Sequence, residues 1–419
     1  MSSDTIAAIA TAPGKAGIAV VRVSGPEAFA IAERLTGREV KPGRITYRVL
    51  KEPDSGKILD EAVVLAFKGP KSYTGEDVIE FQGHGGSVVP RRILEATFAL
   101  GARLAGRGEF TERAFLNGRI TYDQAEGVLD LINSRTDEAA DSALQGLKGE
   151  RQRELKSFYE EAIAISTELE HALDIDEGEL PEDFLPRIKS EITALKLKLK
   201  AMIECERRSR LMREGIVVVL AGAPNAGKSS LMNALLKENR AIVSDTPGTT
   251  RDSIEAWINL GGYPVRLIDT AGLRESDDQI ESEGVKRAEK LIKSADLVIG
   301  LDLELEHDSG LELDLYLKVH SKCDLSRGEG LNVSAVTGEG LEELKAELIR
   351  RFGEIEIKDP SQGGIDRLIE TSKILEESGD IVLMANAVRS AAERLGSIVG
   401  ATYSTDLLDR LFSRFCVGK

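Results

Sequence analysis

Cysteine and histidine are scarce and scattered along the 419-residue chain. There are three cysteines, Cys205, Cys323 and Cys416, and four histidines, at positions 84, 171, 307 and 320. An odd number of dispersed cysteines with no CxxC pair excludes a disulfide framework, and the spacing does not resemble a zinc-ligand pattern. The sequence therefore predicts a fold held together by its apolar core, which a chain of this length is large enough to form.

Positive charge and long apolar runs are also lacking. Lysine and arginine total 55 against 71 aspartate and glutamate residues, which gives a formal net charge of −16. This balance excludes a generally cationic platform for nucleic acid, although a local patch such as Glu206–Arg210 could still guide docking. Because the apolar runs are too short to cross a bilayer and Pro13 to Lys15 interrupt the one near the N-terminus, we expect a cytoplasmic protein with no membrane association.

The most informative feature that is present is Gly222-Ala-Pro-Asn-Ala-Gly-Lys-Ser229, which matches the P-loop pattern. Its glycines stand where backbone N–H groups must approach phosphates. Lys228 would reach the β- and γ-phosphates, and the Ser229 hydroxyl would bind Mg²⁺. The apolar run 216–221 predicts a buried parallel strand before the loop, and 230–236 has helical spacing after it. This context disfavours the alternative, a chance match in a glycine-containing turn.

Two further motifs are typical of a site that senses a third phosphate. Asp269-Thr-Ala-Gly272 follows an apolar run, so its carboxylate lies at a strand end near the metal, and the Gly272 N–H can face a γ-phosphate. Pro247–Asp252 supplies Thr250, whose hydroxyl can complete the metal shell. Thr250 would therefore be the switch residue.

Two motifs predict the base pocket. Asp324, in the sequence Ser321-Lys-Cys-Asp324, can accept hydrogen bonds from guanine N1 and N2, which adenine does not offer. Backbone N–H groups of Ser334 and Ala335 would close the pocket. The order and spacing of all these motifs point to GTP.

The residues that orient the attacking water are harder to identify. Leu273 stands where Ras-like GTPases carry a glutamine. The acidic stretch Arg274–Glu281 offers substitutes, with a solvated loop as the alternative. Asn225 and the loop Ser244–Thr249 offer oxygen ligands for a monovalent cation that would stabilise developing charge, and a plain turn residue is the alternative for Asn225.

The distribution of strand-like and helix-like segments along the chain predicts a multidomain fold with α+β, all-α and α/β parts. Segment 1–118 predicts an N-terminal α+β domain with one amphipathic helix, Pro90–Leu100. Segments 119–213 and 354–419 have long helical patterns, and segment 214–353 interrupts them, so we expect a discontinuous helical domain with an inserted Ras-like P-loop GTPase domain. The predicted N-terminal strands are Gly17–Val23, Glu61–Phe67 and Asp77–Phe81. The predicted long helices are Gln124–Gln145, Arg151–Leu173, Arg187–Arg213, Ile365–Glu377, Asp380–Leu395 and Thr405–Phe412.

Motifs outside the nucleotide-binding segment carry a resemblance to a known family. They are Asp4-Thr-Ile, Gly75–Gly86 (GEDVIEFQGHGG), Gly108–Gly118 (GEFTERAFLNG), Asp123–Glu126 (DQAE) and the terminal Phe415–Lys419 (FCVGK). With these and the GTPase motifs, the chain resembles the MnmE (TrmE) family of tRNA-modification GTPases, within the TrmE-Era-EngA-YihA-Septin-like P-loop GTPases, over its whole length.

The resemblance implies an activity and a set of partners. GTP hydrolysis would drive the installation of a carboxymethylaminomethyl- or aminomethyl-type group at C5 of the wobble uridine of certain tRNAs. The chain would form a homodimer through its N-terminal domains and a heterotetramer with the flavoprotein MnmG (GidA), which carries FAD and provides most of the tRNA binding. A tetrahydrofolate derivative (5-formyl or methylene) would bind the N-terminal domain, and K⁺ and Mg²⁺ would bind the GTPase site.

The resemblance also implies site residues. The nucleotide-binding residues are Asn225, Ala226, Gly227, Lys228, Ser229, Ser230, Ser244, Asp245, Thr246, Pro247, Gly248, Thr249, Thr250, Asp269, Thr270, Ala271, Gly272, Lys322, Asp324, Ser334 and Ala335. Mg²⁺ would be held by Ser229 and Thr250, and K⁺ by Asn225, Ser244, Thr246 and Thr249. Folate would contact Arg22, Glu80, Arg119 and Lys419. The catalytic residues would be Lys228, Glu281, which positions the hydrolytic water, and Cys416.

The chain departs from the family pattern at three places. Arg119 stands where a lysine is frequent. Ser321 replaces an asparagine, which removes an amide that bonds guanine N7 and braces the P-loop, so we expect lower nucleotide affinity with base choice preserved by Asp324. The stretch between Asp302 and Ser321 is shorter than is typical of the family, so the sequence does not define the strands at this edge of the GTPase-domain sheet.

Some residues and the function as a whole have alternative interpretations. Without the resemblance, Arg22, Glu80 and Arg119 would be surface charges and Cys416 a buried, small apolar residue. One rival function is a ribosome-assembly GTPase of the Era/Der type, which predicts a basic RNA-binding appendage. Another is a folate-binding, partner-docking module with vestigial hydrolysis, which the retained GTPase residues disfavour.

Overall fold

The architecture comes from a computed structural model, which describes residues 4–174, 180–238, 255–270, 290–302, 316–328, 330–355, 365–374, 380–399, 408 and 411–419. The chain divides into two compact units. Unit 1 comprises Met1–Leu129, Gly146–Arg151 and Thr402–Lys419, and unit 2 comprises Asp130–Gln145 and Gln152–Ala401. In the helices described, apolar stretches are too short or too charged to span a membrane. The four predicted domain segments stay a prediction.

Unit 1 contains a six-stranded sheet with the strand order β3-β4-β5-β2-β1-β6. Neighbouring strands are antiparallel except for β1 and β6. Alternation along the strands places Val21 and Phe81 on the face that helices cover, and Arg22 and Glu80 on the opposite face. The strands are β1 (Ile6–Ile9), β2 (Ile18–Ser24), β3 (Ile45–Lys51), β4 (Ile58–Phe67), β5 (Val78–His84) and β6 (Arg103–Leu104).

The prediction of a single helix in the first 118 residues is wrong. The segment contains α1 (Ala28–Thr36), α2 (Val89–Ala99) and α3 (Glu109–Leu116), and α4 (Tyr122–Asn133) follows. Only α2 was predicted, because α1 and α3, at nine and eight residues, are shorter than the segment of about 11 residues in which helical periodicity is recognised. Left-handed glycines bound them: Gly37 (φ 66°) ends α1 and Gly108 (φ 66°) precedes α3.

Unit 2 contains a second six-stranded sheet with the order β12-β11-β10-β7-β9-β8. Its strands are parallel except for the edge strand β8, which is antiparallel to β9. Val218 and Val219 point to opposite faces of β7 and both are fully buried, as expected of a central parallel strand. The elements are β7 (Ile216–Gly222), α8 (Lys228–Glu238), β8 (Glu255–Leu260), β9 (Tyr263–Asp269), β10 (Leu297–Leu301), β11 (Tyr316–Ser321), β12 (Leu331–Val333) and α9 (Leu341–Phe352).

Helices that precede and follow this sheet in sequence share one core. Leu169, Leu195 and Leu395, from α6, α7 and α11, are fully buried together. The fold class is therefore as predicted, with a helical domain that the nucleotide-binding segment interrupts. The helices are α5 (Asp137–Leu147), α6 (Glu150–Leu173), α7 (Phe184–Glu214), α10 (Ile365–Ile374) and α11 (Ile381–Val399).

The predicted helix Gln124–Gln145 is wrong, because the chain breaks between α4 and α5. Thr136 caps α5: the Ala139 N–H donates a hydrogen bond to Thr136 Oγ1 at 3.1 Å. The same hydroxyl donates to the Gly262 carbonyl at 2.9 Å. A tertiary anchor thus fixes a break that the helical pattern does not reveal.

The hairpin of β8 and β9 carries the only tryptophan of the chain. Gly261 and Gly262 join the strands with φ of 61° and 89°, the positive values that a two-residue type I′ turn requires. The Arg135 guanidinium carbon lies 4.1 Å from the centre of the Trp257 ring. The segment between α4 and α5 therefore contacts both the turn and the strand of this hairpin.

Candidate functional site

Four predicted nucleotide-binding segments lie at one edge of the second sheet. The P-loop follows β7, Asp269 ends β9, Ser321 ends β11, and Ser334 follows β12. Since these strands are parallel, their carboxyl ends share an edge, and β7 lies between β9 and β10 where the chain changes direction across the sheet. Ligands of open α/β sheets bind at such a point.

The P-loop has the backbone that phosphate binding requires. Asn225 and Gly227 are left-handed, with φ of 62° and 91°, and α8 begins at Lys228, so its N-terminal N–H groups face the loop. Lys228 is 5% exposed, and its Nζ donates to the carbonyls of Gly222 at 2.9 Å and Ala223 at 2.8 Å. The ammonium is thus held inside the loop that would surround the phosphates.

Ser229 and Asp269 form a pair of oxygen ligands beside the P-loop. Ser229 Oγ donates to Asp269 Oδ2 at 2.5 Å, and Asp269 is 3% exposed. Hydroxyl and carboxylate oxygens suit Mg²⁺, which also takes oxygens from substrate phosphates. The described residues contain no cluster of three or more His, Cys, Asp or Glu side chains that could hold a metal ion by themselves. The Ser229 hydroxyl and the Asp269 carboxylate therefore fit a Mg²⁺ ion that also takes oxygen ligands from a bound nucleotide.

The predicted base-binding residues surround a cavity of about 240 Å³. Lys322 is left-handed (φ 55°), and its Nζ donates to the Asn225 carbonyl at 2.7 Å, which ties this motif to the P-loop. Ser334 is fully buried, and its Oγ accepts hydrogen bonds from the N–H groups of Val336 and Thr337, which shapes the loop around Ala335. The cavity lining includes Gly227, Leu231, Ser321, Asp324 and Ala335.

The structure corrects the expectation that the P-loop contact is out of reach once asparagine is replaced, because the Ser321 hydroxyl lies within hydrogen-bonding distance of the loop. Ser321 Oγ lies 2.7 Å from the Ala226 carbonyl oxygen, in hydrogen-bonding geometry. The lower nucleotide affinity stays a prediction.

Several predicted site residues lie outside the described residues. They are Ser244, Asp245, Thr246, Pro247, Gly248, Thr249, Thr250, Ala271, Gly272 and Glu281, and the short stretch after Asp302 up to residue 315. The proposals for these residues rest on the sequence.

In unit 1, Arg22 and Glu80 are in direct contact. They are paired across β2 and β5, and Arg22 Nε and Nη2 lie 2.9 and 2.8 Å from Glu80 Oε1. Each side chain is 17% exposed, so the alternative of two solvated surface charges is wrong. A partly buried ion pair in a sheet face can recognise a ligand that carries both donors and acceptors.

Two aromatic residues that the sequence reasoning missed surround the Arg22 guanidinium. The rings of Tyr73 and Phe110 lie 5.4 and 5.6 Å from its Cζ, within cation–π range. Burial raises the pKa of the Tyr73 hydroxyl above its usual range, against the opposing effects of its hydrogen bond with Thr111 and of Arg22. Phe110 lies in the family motif Gly108–Gly118, but the motif by itself did not indicate that its ring contacts Arg22.

Arg119 contacts the backbone next to Tyr73, and Lys419 follows a segment that lies against β1. Arg119 Nε donates to the Ser72 carbonyl at 3.1 Å, next to Tyr73. The C-terminal segment lies against β1, the neighbour of β2: a Cβ on Gly418 (φ 101°) would be 2.4 Å from the Ile9 carbonyl oxygen. This close approach requires glycine and places the terminal Lys419 beside β1.

Cys416 is exposed, so its interpretation as a buried, small apolar residue is wrong. The Gly108 N–H donates to the Cys416 carbonyl at 3.4 Å, and Val417 forms an isolated bridge with Arg107. The backbone thus fixes the segment while the thiol faces solvent. Chemistry at this thiol stays a prediction.

The basic run Glu206–Arg210 lies on α7 and its arginines have protein partners. Arg210 is 6% exposed and its Nε lies 3.0 Å from Glu214 Oε1. The Arg208 guanidinium carbon lies 5.9 Å from the centre of the Tyr263 ring. The run therefore contributes to packing within unit 2.

Comparison with known proteins gives consistent matches along the chain. The protein-family model described as GTP-binding protein TrmE N-terminus matches residues 5–119 of this sequence. The family model of the MnmE helical domain matches residues 123–416. The tRNA modification GTPase MnmE of Symbiobacterium thermophilum is 40% identical over 458 residues, covering 100% of both chains. That of Methylorubrum populi is 42% identical over 440 residues, covering 99% of this chain and 98% of the relative. A solved G domain of the T. maritima FeoB iron transporter is 28% identical, with a TM-score of 0.23, over 32% of this chain and 97% of its own.

Proposed function

The chain belongs to the MnmE family of tRNA modification GTPases, and from this premise we propose that its GTP hydrolysis drives the modification of C5 of the wobble uridine in certain tRNAs. The observation that carries the GTPase assignment is the convergence of the P-loop, Asp269 and the base-pocket residues at one edge of the second sheet. The group installed on the uridine is of the carboxymethylaminomethyl or aminomethyl type.

Each of the predicted site residues has a distinct role in this proposal. The P-loop N–H groups and Lys228 bind the phosphates, and Ser229 and Asp269 lie where Mg²⁺ binds. Asp324 accepts hydrogen bonds from the guanine base. Mg²⁺, when bound, neutralises charge on the phosphates. Glu281 positions the hydrolytic water, and Thr250 completes the metal shell when a third phosphate is present.

The decisive experiment compares tRNA from a strain that lacks this gene with tRNA from complemented strains. Mass spectrometry should show the modified wobble uridine with the wild-type chain and its absence with Lys228→Ala. Unchanged tRNA in the deletion strain, together with altered ribosomal subunit profiles, would instead support the Era/Der-type alternative. Modified tRNA with a hydrolysis-dead variant would support the vestigial alternative.

We further propose a K⁺ site formed by Asn225 and the loop Ser244–Thr249. GTP hydrolysis should be faster in KCl than in NaCl at equal ionic strength, because a loop of oxygen ligands suits the larger, weakly hydrated cation and would stabilise developing charge. Phosphate release measures the rates. Asn225→Ala should remove the difference with little loss of nucleotide binding, and equal wild-type rates in both salts would exclude the cation site.

For unit 1 we propose a tetrahydrofolate site that contains Arg22, Glu80, Arg119 and Lys419. Support comes from the partly buried Arg22–Glu80 pair and from the aromatic rings around Arg22. The pterin and glutamyl parts of a folate present the donors, acceptors and carboxylates that such a pocket can bind.

Arg22→Ala should weaken binding of 5-formyltetrahydrofolate about tenfold or more, because it removes a charge-assisted contact and leaves Glu80 partly buried without its cation. GTP hydrolysis should stay unchanged. Isothermal calorimetry measures the first and phosphate release the second. Arg34→Ala, on the exposed side of α1, is the matched control and should change neither. Parallel loss of both activities would contradict a separate folate site.

The partners follow from the family and the charge. We propose a homodimer that joins MnmG in a heterotetramer in the cytoplasm, with FAD and most of the tRNA-binding surface on the partner. A net charge of −16 opposes binding of a polyanion by this chain alone. We also propose a chemical role for Cys416, supported by its exposed thiol and by the backbone hydrogen bond that joins it to Gly108.

A further inference from the structure

Ser321 Oγ lies between two acceptors in the wall of the base pocket. It is 2.7 Å from the Ala226 carbonyl oxygen of the P-loop and 2.6 Å from Asp302 Oδ2. The other carboxylate oxygen, Asp302 Oδ1, lies 2.7 Å from His320 Nδ1 and 3.4 Å from the Ser321 N–H. Ser321 is 8% exposed, so water contributes little to satisfying its hydroxyl, whereas the Asp302 side chain is 37% exposed.

A hydroxyl has a single proton, so it satisfies only one of these acceptors at a time. When the proton points to Asp302, the Ala226 carbonyl loses its brace. When it points to Ala226, the lone pairs of Ser321 Oγ face the carboxylate at 2.6 Å. An asparagine amide has two protons and would serve both acceptors.

We propose that Asp302 is a positioning residue for nucleotide binding, which acts by competing with the P-loop for the Ser321 proton and thereby lowers the affinity for guanine nucleotides. The competition favours the carboxylate because hydrogen bonds to charged acceptors are stronger than those to a neutral carbonyl. His320 holds the carboxylate in place through its Oδ1. This inference rests on the GTP binding proposed above.

The test uses Asp302→Asn in the full-length chain, with equilibrium binding of a fluorescent GDP analogue. Asparagine tolerates the left-handed backbone at this position, where φ is 49°. Its carbonyl oxygen can accept from His320 while its NH₂ donates to Ser321 Oγ, which frees the hydroxyl proton for Ala226. The dissociation constant should fall about 2- to 10-fold, the effect of one hydrogen bond.

Two backgrounds separate this mechanism from a general loss of negative charge. In Ser321→Ala, which has no hydroxyl, Asp302→Asn should no longer tighten binding. In Ser321→Asn, which should itself bind more tightly than wild type, the second substitution should add nothing. Glu343→Gln, on the exposed first turn of α9, removes one charge from the same domain and should leave the dissociation constant unchanged.

The outcomes are distinct. Tightening by Asp302→Asn that disappears in both Ser321 backgrounds supports the proposal. Absence of tightening, or tightening that persists in the Ser321→Asn background, overturns it while leaving GTP binding intact. A wild-type chain that fails to bind the GDP analogue would overturn the nucleotide site itself.

Discussion

Replacing Lys228 with alanine is expected to lower GTP turnover by about 10²- to 10³-fold, the usual loss when one preorganised donor to a developing charge is removed. Lys228 is buried in the P-loop with two carbonyl partners, so its ammonium is already positioned before substrate arrives. Such a group acts without reorganisation, and its charge is most valuable where the phosphates become more negative in the transition state.

The measurement is phosphate release at saturating GTP, with the tRNA readout described above as a second assay. Lys237→Ala is the matched control, since this lysine lies in the last turn of the same helix and away from the loop. Its turnover should equal that of wild type. A decrease of less than about fivefold in Lys228→Ala would show that phosphate binding depends mainly on the loop N–H groups.

Arg113→Met is expected to destabilise unit 1 by about 3–5 kcal/mol, because it leaves the partly buried Glu76 carboxylate without this cation and removes one of the two arginines beside Glu109. Arg113 is 4% exposed, and its guanidinium lies 3.1 Å from Glu76 Oε2 and 3.0 Å from Glu109 Oε1. It also donates to the carbonyl and carboxylate of Asp4, so it fastens the start of β1 to α3. Methionine keeps much of the volume but offers none of these hydrogen bonds.

Native-state hydrogen exchange of the intact chain, read by peptide mass spectrometry in β1 and β5, measures the local free energy of opening. Arg91→Met is the control, because the Arg91–Glu95 pair on α2 is exposed and should contribute at most about 0.5 kcal/mol. Equal protection of β1 in both variants would mean that the Arg113 network contributes little to stability.

The same network predicts an acid dependence. Burial alone would raise the pKa of Glu109, but hydrogen bonds from Arg103, the Gly106 N–H and Arg113 outweigh it and hold the pKa below the ordinary 4.5. The resulting stability is fully present above the ordinary value and is lost as pH falls through the lowered pKa. Protection of β1 should therefore fall in this acid range, and less steeply in Arg113→Met.

Long apolar runs and glycine-rich motifs were the parts of the fold that the sequence predicted well. β7 and its P-loop, and the strands β2, β4 and β5, come from β-branched runs bounded by turn residues. The nucleotide site was predictable because its residues follow strand ends in a fixed order. Each of these signals lies within one short segment, and the order of the segments along the chain makes their combination specific.

Features that depend on tertiary contacts were not predictable. The break after α4 exists because Thr136 bonds to Gly262, a residue far away in sequence. The rings around Arg22 come from Tyr73 and Phe110, which the fold alone brings to β2. Likewise, the serine at position 321 suggested a lost contact, and only the structure shows that its hydroxyl lies within hydrogen-bonding distance of Ala226.

The hairpin with the lone tryptophan makes the unmodified chain its own optical probe. β8 follows the segment that carries Thr250, and β9 leads into the segment that carries Gly272, the two motifs assigned to the γ-phosphate. Trp257 lies 4.1 Å from the Arg135 charge, so a displacement of the hairpin from Arg135 would alter the electric field at the indole and with it the colour and intensity of emission. Stopped-flow fluorescence of the wild-type protein can therefore time nucleotide-driven rearrangement without an attached dye.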